Sequence, residues 1–104
     1  MILTNKTLKH FLKWKVNNKN LSTIEVLDFK HLSVTSQNAL IIEFFDSIEI
    51  IIQIHNVCDD WWFRVKSKTK TIKSEKYNEH KNRKEATIQA IKKANDLYNN
   101  TDKV

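Results

Sequence analysis

Every reversal of this chain must be made without glycine's conformational freedom or proline's fixed φ, because its 104 residues contain neither. Average usage would place about a dozen of the two in a chain this long. Glycine enters the left-handed backbone region at no steric cost, whereas a residue with a Cβ is strained there. Turns and helix ends then fall to Asn, Asp and Ser, whose short polar side chains bond the local backbone. The same absence closes several classes of chemistry. The phosphate-cradling loop, the dinucleotide fingerprint and the nucleophile elbow are all built on glycines. None of them can be written in this alphabet.

The length fits one domain, residues 1–104, with a single modest core. A hydrophobic share of 40% beside 29% charged residues is that of a globular chain rather than a disordered one. The longest apolar run, Ile48 to Ile54, is broken by Glu49 and Gln53. It falls well short of the roughly 18 residues a membrane span needs. Met1-Ile2-Leu3-Thr4 turns polar at once, so no secretory leader is expected. Cys58 is the one cysteine, which excludes an internal disulfide and fits a reducing compartment such as the cytoplasm. The net charge of +6 is unevenly spread. Residues 1–20 carry five lysines and no acid, residues 21–60 carry seven acids against Lys30, and residues 61–104 carry twelve basic residues against five acids. That pattern implies a dipolar surface, or ends that pair with the middle.

Leu8, Phe11, Leu12 and Val16 recur at helical spacing, with Lys9, Lys13 and Lys19 mostly on other faces. This predicts an N-terminal helix capped by Thr4 and ended by Asn17-Asn18-Lys19-Asn20. Residues 22–35 carry two signals. Ser22-Thr23-Ile24-Glu25 fits a capping box, while the β-branched Thr23, Ile24, Val26, Val34 and Thr35 favour a strand, the preferred reading. Further on, Leu40, Ile42 and Phe44 alternate with Ile41, Glu43 and Phe45. Ile48, Ile50, Ile52 and Ile54 then alternate with Glu49, Ile51, Gln53 and His55. Two strands joined by a turn at Asp46-Ser47 are expected. A longer turn, Asn56 to Asp60, leads into a third strand from Trp61 to about Lys73. A C-terminal helix from Arg83 to Asn99 follows, with Asn82 as cap and Glu85 at the reciprocal position. Its inward stripe is Ala86, Ala90, Ile91, Ala94, Leu97 and Tyr98. Three of the chain's four alanines lie there, which implies close approach of the helix backbone to the sheet. The expected class is α+β: a three- or four-stranded antiparallel sheet with an N-terminal and a C-terminal helix packed on it. Its core would include Phe44, Ile50, Ile52, Ile54, Phe63, Ala90, Ile91 and Leu97.

The strand from Trp61 has two unlike faces. Trp61, Phe63 and Val65 point one way, and Trp62, Arg64, Lys66, Lys68 and Lys70 the other. Cations at every second residue repeat at roughly 6.5–7 Å along a strand. With Lys73 beyond and Trp62 at its head, the row could follow a phosphate backbone while the indole stacks on a base. The plainer reading is the solvated face of an amphipathic strand, where lysines guard a sheet edge. Only two arginines occur, which argues against bidentate base readout but not against sequence-independent binding. The candidate binding residues are therefore Trp62, Arg64, Lys66, Lys68, Lys70 and Lys73.

Other constellations are thinner. His55 and Cys58, with Asp59 and Asp60, could offer metal ligands or a thiolate–imidazole pair, but no further ligand or oxyanion-hole motif accompanies them. Asp46 and the Asp59-Asp60 pair read as turn formers rather than paired catalytic carboxylates. Trp14 and Tyr77 read as packing or rim residues. The N-terminal basic helix has too short an apolar face for a membrane surface. No catalytic residue, metal or cofactor is expected, and nothing in the sequence sets the oligomeric state.

Trp61-Trp62-Phe63-Arg64-Val65, a polar loop, and Lys84-Glu85-Ala86 followed by Ala90-Ile91 and Ala94 together resemble small phage and mobile-element proteins, over about residues 39–100. The resemblance implies an antiparallel sheet packed on a terminal helix. It also implies one of two activities. One is DNA binding, as in the three-strand-plus-helix modules of tyrosine integrases; the other is the disabling of host machinery, as in anti-CRISPR proteins. The leading expectation is a non-catalytic binding protein, a phage-encoded inhibitor of a host protein or nucleoprotein complex in the host cytoplasm. The alternative is a small basic nucleic-acid-binding domain using the basic strand face.

Overall fold

The computed structural model describes residues 2–17, 31–57, 60–73 and 81–100. In chain order run α1 (Asn5–Asn17), α2 (Val34–Ser47), β1 (Ile51–Val57), β2 (Asp60–Lys66), β3 (Thr71–Lys73) and α3 (Arg83–Asn99). The class is α+β, with a three-stranded antiparallel sheet in the order β1-β2-β3. The N-terminal and C-terminal helices both pack into the core that covers one sheet face.

α3 begins as its sequence dictates. The Glu85 N–H donates to the Asn82 side chain at 2.8 Å, satisfying an amide that has no partner within the helix. Glu85 reaches back one residue further than a reciprocal cap would, accepting from the Lys81 N–H at 3.4 Å. α1 starts differently. Thr4 stands at the N-cap, its carbonyl accepting from the Leu8 N–H at 3.2 Å, while its Oγ1 accepts from the side-chain amides of Asn95 and Asn99, at 3.1 Å each. The Thr4 N–H donates to Asn95 Oδ1 at 3.0 Å and the Thr7 N–H to Asn99 Oδ1 at 2.9 Å. The first turn of α1 is thus capped by side chains from the last two turns of α3.

That docking rotates α1 away from the apolar stripe expected for it. Thr7, Phe11 and Lys15 are buried, whereas Leu12 and Val16 stand 42% and 69% exposed. Lys15 places its ammonium 5.8 Å from the Phe11 ring centre.

The expected first strand, Leu40–Phe45, is the second half of α2. A short apolar run fits a period of 2 as well as one of 3.6. Here the buried positions Asn38, Leu40, Ile41, Phe44 and Phe45 follow the helix. Ser33 opens α2, accepting from the Ser36 N–H at 3.1 Å. Val34 and Thr35, read as strand formers, sit in its first turn; residues 22–30, with the Ser22–Glu25 capping box, lie outside the described residues, as do Lys19 and Asn20.

Asp46-Ser47 is therefore a helix end and not a hairpin. The Glu49 N–H donates to the Asp46 carbonyl at 3.1 Å and the Ile50 N–H to the Phe45 carbonyl at 2.9 Å. This pair of bonds is the Schellman stop, completed by an apolar contact between the residues that flank it. Ile50 and Phe45 occupy those positions, and both are buried. The stop needs one left-handed residue, for which glycine is the usual choice. In this glycine-free chain Glu49 takes it, with φ 64°.

β1 pairs with β2 from Ile51↔Lys66 to Val57↔Asp60, and β2 with β3 from Arg64↔Lys73 to Lys66↔Thr71. The expected third strand, Trp61 to Lys73, is consequently two. Ser67 reverses the chain: its N–H donates to the Lys70 carbonyl at 2.8 Å, and its Oγ accepts from the Lys70 N–H at 3.1 Å. A serine side chain bracing the backbone does here what a glycine turn commonly does.

Phe63 and Val65 of β2 enter the core, where α3 lays Ala86, Ala90 and Ala94 against the sheet, all fully buried. Phe44 and Ile50 complete the centre with Ile91, while Ile52, Ile54 and Leu97, also expected in the core, are half-buried at its margin. Phe44 makes ring contacts with Phe11, Trp14, Phe45 and Tyr98 at centroid distances of 5.3–6.3 Å. Each such pair adds about 0.5–1.5 kcal/mol beyond its area burial.

Candidate functional site on the outer sheet face

Strand side chains alternate between faces. Since Phe63 and Val65 enter the core, Trp62, Arg64 and Lys66 stand on the opposite, outer face. The register adds Ile51, Gln53 and His55 from β1, and Thr71 and Lys73 from β3. At the centre is a two-by-two block. His55 is directly opposite Trp62, and Gln53 directly opposite Arg64. The His55 and Trp62 rings stack at 4.2 Å with their planes 18° apart, and the Arg64 guanidinium lies 5.7 Å from the Trp62 ring centre.

The block is polar and half-buried. Gln53 Oε1, His55 Nε2 and Arg64 Nε are shielded from solvent and have no hydrogen-bond partner. Buried polar atoms are nearly always paired, and leaving one unpaired costs about 1–3 kcal/mol. Three of them on adjacent residues of one sheet face is a concentration that packing alone does not require.

The cations beside this block form a patch rather than the expected line. Lys66 is exposed on β2, and Lys73 on β3 stands directly opposite Arg64. Like charges facing each other across strands are destabilising. The only carboxylate on the described strands of this face is Asp60, at the far end of β2. Lys68 and Lys70 do not continue the row, because the turn carries them around the end of the β2–β3 hairpin. Lys68 Nζ lies 2.6 Å from Glu49 Oε2 at the surface. The hydrogen bond to Glu49, with its charge, raises the Lys68 pKa above the ordinary lysine value. Lys68 is thereby engaged inside the molecule, at the same residue that closes α2.

Gln53 and His55 are the members of the site that the strand-by-strand reading did not bring to Trp62. The turn expected over Asn56 to Asp60 hid this register: Asn56 and Val57 belong to β1 and Asp60 to β2, and the pairing of Val57 with Asp60 sets which residues face each other. Cys58 and Asp59 themselves, and Tyr77, lie outside the described residues. Among the described residues no group of three His, Cys, Asp or Glu side chains could hold a metal ion. No described helix is long and apolar enough to cross a membrane. Elsewhere, a groove of about 350 Å³ between α2 and the start of α3 is lined by Asn38, Ala39, Ile42, Arg83, Lys84 and Thr87. Comparison with family models, curated proteins and solved structures returns no match.

Proposed function

We propose that the chain is a non-catalytic binding protein whose working surface is the outer sheet face, and that its partner there is a nucleic acid. The observation that carries this reading is the patch of Arg64, Lys66 and Lys73 beside the His55–Trp62 stack. Arg64 and Lys73 are held against each other at a cost in stability, and a polyanion lying across them offsets that repulsion while releasing its counterions. The aromatic pair adds a surface on which bases can stack without regard to sequence. In the setting that the resemblance to phage proteins implies, the same face would make the contact within a host nucleoprotein complex.

The test is binding of mixed-sequence oligonucleotides followed by anisotropy between about 50 and about 200 mM salt. Affinity should fall steeply with salt. Lys66→Gln with Lys73→Gln should flatten the log–log slope by about 1.4 for a single strand. Lys68→Gln, which breaks the Glu49 pair and lies off the face, should leave the slope nearly unchanged. Absence of binding to any strand at low salt sinks the proposal.

A further inference from the structure

We infer that the outer face takes an unpaired nucleobase, so that the protein prefers single strands to duplex; this rests on the nucleic-acid reading above. The argument comes from the kind of polar atom left unsatisfied. Arg64 Nε carries a hydrogen and can only donate, whereas Gln53 Oε1 can only accept, and the two residues are directly opposite on neighbouring strands. A phosphate offers acceptors alone and would leave the Gln53 oxygen unsatisfied. A carboxylate of an acidic protein has the same defect.

The ligand that answers both must place a donor beside an acceptor. The pairing edge of every nucleobase does so. It also brings a flat face that matches the neighbouring His55–Trp62 stack, and a phosphate that can reach Lys66 or Lys73. In a duplex that edge is already used by the complementary base. An unpaired base is therefore the form that fits. His55 Nε2, adjacent to Gln53 on the same face of β1, provides a third contact, as donor or acceptor according to tautomer. The terminal torsion of His55 is soft, so its ring can turn toward a ligand without moving the strands.

Three probes of equal length, about 16 nucleotides, decide the matter: a mixed-sequence single strand, its duplex, and an abasic strand that keeps the phosphates but lacks bases. The single strand should bind at least about tenfold more tightly than either of the others. Gln53→Leu should bring single-strand affinity down toward the abasic value while leaving the salt slope unchanged. It should not lower the melting temperature, because it removes an unsatisfied oxygen instead of a bond. A duplex or abasic strand bound as tightly as the single strand overturns the inference and leaves nucleic-acid binding standing. So does a Gln53→Leu protein that melts normally and binds all three probes as before. Failure to bind any probe, or binding of poly-glutamate as tight as that of the single strand, overturns both readings.

Discussion

The left-handed residue that ends α2 allows a quantitative test of how a chain without glycine makes a glycine turn. Glu49 sits at φ 64° with the Schellman bonds on either side of it. Holding a residue with a Cβ in this region costs about 1–2 kcal/mol. Glu49→Gly removes that strain, but glycine also gives the unfolded chain more freedom, which takes back about 0.4–1 kcal/mol. Taken at the middle of each range, the expected net gain is about 0.8 kcal/mol. The substitution would also delete the Glu49–Lys68 ion pair, so both proteins should carry Lys68→Gln. In that background, thermal and urea unfolding followed by far-ultraviolet circular dichroism should show the glycine protein melting about 2–8 °C higher. Glu49→Val is the opposing control. A β-branched residue is a steric outlier at positive φ and should lower stability below the Lys68→Gln parent. If the glycine protein is no more stable than that parent and the valine protein matches it, Glu49 is not strained, and the account of the turn is wrong.

Two further outcomes follow from the α1–α3 contact. Asn99 Oδ1 accepts from the N–H and the hydroxyl of fully buried Thr7; the hydroxyl can turn to the Asn95 carbonyl 3.2 Å away, so Asn99→Leu strands the N–H and should cost about 1–3 kcal/mol in urea unfolding. With Thr7→Val the double variant should lose about 1 kcal/mol less than the sum of the singles; additivity within about 0.3–0.5 kcal/mol would contradict the assigned bonds. Burial raises the Tyr98 pKa, so the native state holds this proton to higher pH than the unfolded chain does. Its contribution is complete below the ordinary tyrosine value near pH 10 and is lost as pH rises through the raised one. Wild-type stability should therefore fall more steeply than that of Tyr98→Phe between about pH 9 and about pH 11, and parallel curves would show that Tyr98 is not desolvated.

The outer face joins two kinds of feature with different costs. Its cations oppose one another, and Gln53 Oε1, His55 Nε2 and Arg64 Nε lack hydrogen-bond partners. Neither feature helps the isolated fold. Among the described residues, none that lines the α2–α3 groove has an unsatisfied buried side-chain atom. Restraint by Glu49 removes Lys68 from the set of cations first read along the strand, and the Ser67 turn takes Lys70 out of the row and returns Lys73 opposite Arg64.

What the sequence determined by itself were features whose signals lie within a few residues. The Asn82 cap of α3, the alanine stripe beneath it and the alternation of β1 and β2 all follow from local hydrogen bonding and side-chain periodicity. So does the closure of glycine-dependent chemistry. Tertiary structure decided the rest, wherever local signals tied or were silent. Leu40–Phe45 satisfied both periods, and burial of Ile41, Phe44 and Phe45 in one core settled it as helix. α1 was recognisable as a helix, but its rotation depends on Thr4 and Thr7 meeting Asn95 and Asn99, residues about ninety positions away. The basic strand was legible as a pattern, yet the Ser67 turn and the β1 register determined which cations remain together and which polar groups join them. Local propensity can set what an element is; only packing sets which of its faces, and whose partners, it will use.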